Sequence, residues 1–185
     1  LLVVALLCAG VASGDEAPAD AKAKERAHVR RALYTLHTYT MRGSAVAVGP
    51  KLVATAGHCF YVNTNGGTFF GECALAGVEP DASPLEGHLI FLDSSDADAA
   101  FIRTTKHADV WLPMGAAKPG PAYVVASDGC HDIMISPPPS HFFTGWKPFP
   151  GSSGSPLIQD GKVVGVVRGT FHHSETGVYS VVKKE

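Results

Sequence analysis

The chain has 185 residues, 45% of them hydrophobic, and a formal charge of -2 at pH 7, enough for one ordinary domain or two small subdomains sharing a core. A pI near 6.5 provides no basic surface for holding nucleic acid by phosphate neutralisation, and no acidic tail. Glycine (20) and proline (13) are plentiful, and no stretch between residues 32 and 182 keeps helical apolar spacing for long, which predicts a turn-rich, strand-based fold.

In chain order, residues 1–14, LLVVALLCAGVASG, carry no charge and end in small residues. That is the form of a signal-peptide core with a cleavage site near Ala12 to Gly14, and it is short against the roughly 20 residues of a bilayer span. The expectation is a secreted or periplasmic protein; the alternative is a membrane anchor made by the same segment if it is retained. Leu7 stands before Cys8, where a bacterial lipid-anchoring site prefers a small residue. Residues 15–31, charged and Ala-rich without an apolar stripe, read as a charged linker or a solvated helix rather than core. The folded domain is expected over 32–185.

Within it, residues 44–48 and 52–55 flank the turn Gly49-Pro50-Lys51 in a hairpin pattern, and Asn65-Gly66-Gly67 marks another tight turn. Residues 88–92 and 99–103 read as strands. Further on, residues 156–159 and 162–167 flank Asp160-Gly161, a pair favoured in two-residue hairpin loops because both positions tolerate positive φ. Short strands at this spacing favour a barrel or sandwich.

The segments that carry chemistry lie between these turns. His58 ends the β-branched run VATAGHC (53–59). An imidazole with an ordinary pKa near 6.5, held on a fixed backbone, accepts a hydroxyl proton near neutral pH; a buried histidine bonded to backbone is the alternative. Asp98 stands at the lip of a strand in DSSDADAAFIR (93–103), where a carboxylate can accept the ring N–H of a histidine and fix its tautomer. Asp93 and Asp96, beside loop-like residues, read as solvated turn acids. Ser153 is the middle of GSSG in GSSGSPL (151–157). Glycines on both sides permit a hydroxyl to approach a carbonyl while the N–H groups of Gly151 and Ser153 point at the developing oxyanion. Ser152 and Ser155 are alternatives by composition, and a flexible turn is the competing reading of the whole run.

With these segments in view, the chain resembles the chymotrypsin-like (trypsin-fold) serine peptidases over about residues 40–182. TAGHC matches the family's TAAHC or TAGHC, DAAFIR its aspartate-led apolar run, GSSGSPL its nucleophile loop, and GVYSVV (177–182) its GVYTKV, in the family's order. The resemblance implies an all-β fold of two packed six-stranded antiparallel barrels, about 32–112 and 120–185, with the active site in the cleft between them. It implies a serine endopeptidase with His58 as general base, Asp98 as its orienter, Ser153 as the acylated nucleophile, and an oxyanion hole at Gly151 and Ser153. It further implies a protein or peptide substrate, no cofactor and a monomer. The alternatives are an inactive protease-fold binding module and a membrane-tethered polyprotein-processing protease.

The departures are informative. Ser152 stands where animal digestive members carry an aspartate that pairs with a newly cut N-terminus, and the compact length is closest to bacterial and viral members. Residues 41–43 are Met41-Arg42-Gly43, so Cys59 lacks the cysteine that animal enzymes pair with it and must find Cys73, find Cys130 or stay free; in an exported protein Cys59 with Cys73 is the expected disulfide, leaving Cys130 unpaired. By position, Lys147 would lie near the floor of the specificity pocket, with Val167, Arg168, Gly169, Thr170 and Gly177 on its walls; a lysine there suits an acidic side chain. The histidine that glutamate-specific members place before this arginine is Val167 here, and His172 and His173 read as a hairpin tip. Nine histidines and Cys130-His131 raise a metal protein as a third class, but no HExxH and no pair of CxxC motifs supports it, so no metal site is expected.

Overall fold

The computed structural model describes residues 18–39, 41–62, 68–69, 71–93, 98–137, 141–170 and 176–181. The expected signal core with Cys8, the Asn65-Gly66-Gly67 turn, Asp96, His172 and His173 lie outside the described residues. Among those described, no helix is long and apolar enough to cross a membrane.

After helix α1 (Pro18–Arg31) come β1 (Leu33–His37), β2 (Arg42–Gly49), β3 (Leu52–Ala56), a short 3-10 turn (Gly57–Phe60), β4 (Tyr61–Val62), β5 (Thr68–Phe69), β6 (Glu72–Gly77), β7 (Leu85–Asp93) and β8 (Ala99–Thr104). Strands β1, β2, β3, β8, β7 and β6 close, in that order, into one antiparallel barrel. The second half holds β9 (Gly120–Ala126), β10 (Gly129–Ile135), β11 (Phe142–Thr144), β12 (Pro156–Gln159), β13 (Lys162–Thr170) and β14 (Gly177–Ser180). These close in the order β10-β11-β14-β13-β12-β9. The fold is therefore all-β with two six-stranded barrels, as the resemblance implies.

Local chemistry explains the hairpins. Asp160 and Gly161 both take positive φ, 52° and 68°, and join Gln159 to its cross-strand partner Lys162, as a primed two-residue turn requires. Strand β6 alternates exposed and buried residues, as a strand with one wet face should. β2 is buried along almost its whole length, because one face fills its own barrel and the other is covered. One continuous core runs from Leu33, Val46 and Ile102 of the first barrel to Tyr123, Ile158 and Val166 of the second. A smaller core around Phe143, Leu157 and Tyr179 fills the second barrel itself.

Of the two readings of the charged segment, linker or solvated helix, the helix is the one observed, over Pro18–Arg31. α1 begins with Asp20 in its first turn and ends with His28, Arg30 and Arg31 in its last, charges that suit the helix dipole. It buries one apolar side chain, Val29, and grips with polar groups instead of an apolar stripe. The Tyr123 hydroxyl donates to Glu25 (2.8 Å), Arg26 lies over the Tyr123 ring and pairs with Asp132, and Arg30 pairs with Glu79 of the other barrel at 2.6 Å.

The expected Cys59–Cys73 disulfide is absent; both are free thiols, as is Cys130. The two side chains meet different surroundings. Cys59 Sγ lies so close to Gly43 that a Cβ there would be 2.9 Å away, whereas Cys73 Sγ faces the Gly87 carbonyl of β7 at 3.6 Å. Burial pushes the Cys59 thiol up to about 12, with the Thr55 hydroxyl opposing the rise and the Asp98 charge adding to it; burial raises Cys73 to about 11.

Candidate active site

β3 delivers His58. The strand ends at Ala56, paired with Ala99 at the head of β8, and the chain then tightens into the 3-10 turn that carries His58. Asp98 immediately precedes β8, so the same ladder that aligns the strands brings base and acid together. The Gly57 N–H donates to the Asp98 carbonyl at 2.8 Å. The Asp98 carboxylate is then used twice: Oδ1 accepts the His58 backbone N–H at 2.6 Å, and Oδ2 lies 2.7 Å from His58 Nδ1. With Nδ1–H donating to the carboxylate, Nε2 is left as the proton acceptor.

Asp98 is 6% exposed and takes a φ of 44°, a conformation that aspartate tolerates better than most residues. From the second barrel, the Ser180 hydroxyl donates to its carbonyl at 3.1 Å. Arg168 Nε stands 3.4 Å from Oδ2. Of the rival acids, Asp93 ends β7 opposite Ala99, and Asp96 is not described.

The Ser153 loop reaches this turn from the other barrel. Ser44 of β2 donates its N–H to the Ser153 carbonyl (2.7 Å) and its hydroxyl to the Gly151 carbonyl (3.1 Å). Gly154 donates to Val167 of β13 at 2.8 Å. Its backbone is pressed so tightly against β2 and β3 that a Cβ would lie 1.9 Å from the Ser44 carbonyl oxygen and 2.3 Å from Thr55 Oγ1. Gly43 fits similarly between Cys59 and the Ser153 carbonyl. Both loop glycines have positive φ, 94° at Gly151 and 87° at Gly154, so the loop needs glycine for conformation at both positions and for space as well at Gly154.

These contacts seat Ser153 beside the His58 turn with its side chain half-exposed, although among the described residues no hydrogen bond joins its hydroxyl to the His58 ring. Such bonds are often long before substrate binds. Among the described residues the N–H groups of Gly151 and Ser153 also donate to no protein acceptor. The neighbouring serines are engaged or enclosed: Ser152, 1% exposed, donates its hydroxyl to the Phe149 carbonyl (2.7 Å) and accepts the Phe149 N–H (3.1 Å), and Ser155 is fully buried.

Of the residues expected to line a specificity pocket, Arg168, Gly169 and Thr170 follow one another on β13, where Thr170 is paired with Gly177 of β14. Lys147 is exposed, and among the described residues no hydrogen bond or ion pair joins it to the others. Gly177 is buried against the Phe143 ring, where a Cβ would meet Cζ at 2.0 Å. Arg168 turns to Asp98, Gly169 faces open space and Thr170 is half-buried. Sequence reasoning missed Ser44, Thr55 and Ser180 as site-builders. Each meets its partner only through the fold: Ser44 and Gly151 are 107 positions apart. No group of three or more His, Cys, Asp or Glu side chains among the described residues could hold a metal ion.

Two barrels joined at a His–Asp pair and a glycine-flanked serine loop superpose well on solved proteases. The Rv3671c protease of M. tuberculosis in its active form matches with a TM-score of 0.67 at 20% identity over 89% of this chain and 82% of that one. A Glu endopeptidase matches with 0.67 at 12% identity over 82% and 85%, and the NSP4 proteinase from Equine Arteritis Virus with 0.60 at 19% over 83% and 73%. The fold is that of the chymotrypsin-like serine peptidases. No protein-family profile matches the chain, and no curated protein matches it in sequence. At these identities the likeness to the chymotrypsin-like enzymes is one of architecture, and the chemistry has to be read from the side chains above.

Proposed function

We propose that the protein is a serine endopeptidase that cleaves peptide bonds through an acyl-enzyme intermediate. The observation that carries this reading is the double engagement of Asp98 with His58, backbone N–H at 2.6 Å and ring Nδ1 at 2.7 Å, beside a Ser153 loop that is bonded to Ser44 of β2. In the mechanism His58 Nε2 takes the Ser153 hydroxyl proton as Oγ attacks the scissile carbonyl. Asp98 holds the ring tautomer and stabilises the imidazolium. The proton then passes to the leaving amine, and a water, activated by the same ring, releases the acyl group.

The carbonyl oxygen gains charge in each step, and the N–H groups of Gly151 and Ser153 are the donors available to it. Such a donor contributes about 10²–10³ in kcat. Because the Ser152 hydroxyl closes on Phe149, the loop is held by internal bonds and needs no ion pair with a cut N-terminus. The test is labelling with a fluorophosphonate probe beside Ser153→Ala and a chelator control. Wild-type protein should label at Ser153 and the variant should not; a folded wild-type sample that fails to label overturns the peptidase reading. A peptide-library profile then tests Lys147, since a strict preference for aromatic or basic residues would discard charge pairing at that lysine.

A further inference from the structure

The catalytic roles above leave Arg168 unexplained. β13 and β14 pair Val166 with Ser180 and Val167 with Tyr179, then resume with Gly169 opposite Val178. Arg168 is the extra residue of a β-bulge, a device that takes a side chain out of the strand's alternation and re-aims it. Here the guanidinium is aimed across the barrel junction at Asp98, with Nε 3.4 Å from the same Oδ2 that faces His58 Nδ1.

The side chain of Asp98 is 9% exposed and that of Arg168 39%. An exposed ion pair contributes little to stability, but a buried carboxylate is costly unless its charge is matched. His58 can match it only while protonated, whereas a guanidinium keeps its charge at every working pH. The groups facing the carboxylate are His58 and Cys59 from the 3-10 turn and Arg168 from β13, with the Ser180 hydroxyl of β14 on the adjoining carbonyl.

We propose that Arg168 is a positioning residue: it holds Asp98 in place from the second barrel while His58 is neutral, and it limits how strongly that carboxylate draws a proton to the ring. The kinetic consequences rest on the peptidase reading; the electrostatic ones do not.

The experiment is an NMR titration of the His58 ring, assigned with His58→Gln, in wild type, Arg168→Met and Arg168→Lys. With the cation removed, the Asp98 charge acts on the ring alone. The midpoint should rise by about one pH unit in Arg168→Met and return to near wild type in Arg168→Lys. In kinetics with a cleaved peptide, the rising limb of kcat/KM should move the same way, with a severalfold loss of kcat and little change in KM. If Arg168→Met does not give native circular dichroism, Arg168→Gln replaces it. An unchanged His58 midpoint in a folded charge-removing variant overturns the proposal. Failure of wild type to label with fluorophosphonate would instead overturn the peptidase reading and leave the titration decisive for Arg168.

Discussion

Gly154 permits a sharp test of how the nucleophile loop is seated. Replacing it with alanine incurs two separate costs. At a φ of 87° a side chain costs about 1–2 kcal/mol. The added methyl would also lie 1.9 Å from the Ser44 carbonyl oxygen and 2.3 Å from Thr55 Oγ1. The carbonyl belongs to a paired strand and cannot swing away, and Thr55 Oγ1 itself donates to it at 2.7 Å. Overpacking costs about 1–3 kcal/mol and the lost hydrogen bond about 1 kcal/mol, for a total of about 3–6 kcal/mol. At about 2–4 °C per kcal/mol for a chain of this size, the melting temperature should fall by roughly 6–24 °C.

Gly161→Ala is the control, because Gly161 also has positive φ, 68°, and an alanine methyl there would meet nothing within 4 Å. It should cost only the conformational part, about 1–2 kcal/mol. Thermal unfolding by circular dichroism compares the two, and fluorophosphonate labelling should slow only in Gly154→Ala. Equal losses of melting temperature would refute the close approach on which the seating of Ser153 depends.

Asp98→Asn should keep the fold, since asparagine tolerates positive φ, yet lower kcat by about 10⁴-fold, because the amide must place an N–H either on the His58 backbone N–H or on Nδ1; activity within about tenfold of wild type would show that Asp98 is not the orienting acid. Alkylation at pH 8, read by peptide mapping, should modify half-buried Cys130 well before Cys59 and Cys73. The latter are buried with thiols raised to about 12 and about 11, so almost no thiolate is present, and rapid native labelling of Cys59 would contradict its packing. For α1, Val29→Ala should destabilise by about 2 kcal/mol while Asp132→Asn, at 67% exposure, should cost less than about 1 kcal/mol; urea denaturation showing the reverse order would mean that the exposed Asp132 pairs outweigh the one buried apolar contact.

The sequence by itself determined what depends on near neighbours along the chain. The Asp160-Gly161 turn, the strand leading to His58, and the glycines around Ser153 are set by local backbone preferences, and they are legible because each preference acts within a few residues. The same locality let VATAGHC, DAAFIR and GSSGSPL suggest a base, an acid and a nucleophile. Only the tertiary structure decided the rest. Cys59 and Cys73 remain thiols because their side chains face Gly43 and Gly87, a matter of direction that cysteine spacing does not encode. α1 docks through Glu25, Arg26 and Arg30 on groups of two different barrels, so no apolar stripe announced it. Position in the strand did not reveal the partner of Arg168, because a one-residue bulge turns it onto Asp98. In each case the partner lies far away in sequence, and register, twist and barrel closure, none of them local, determine which distant groups meet.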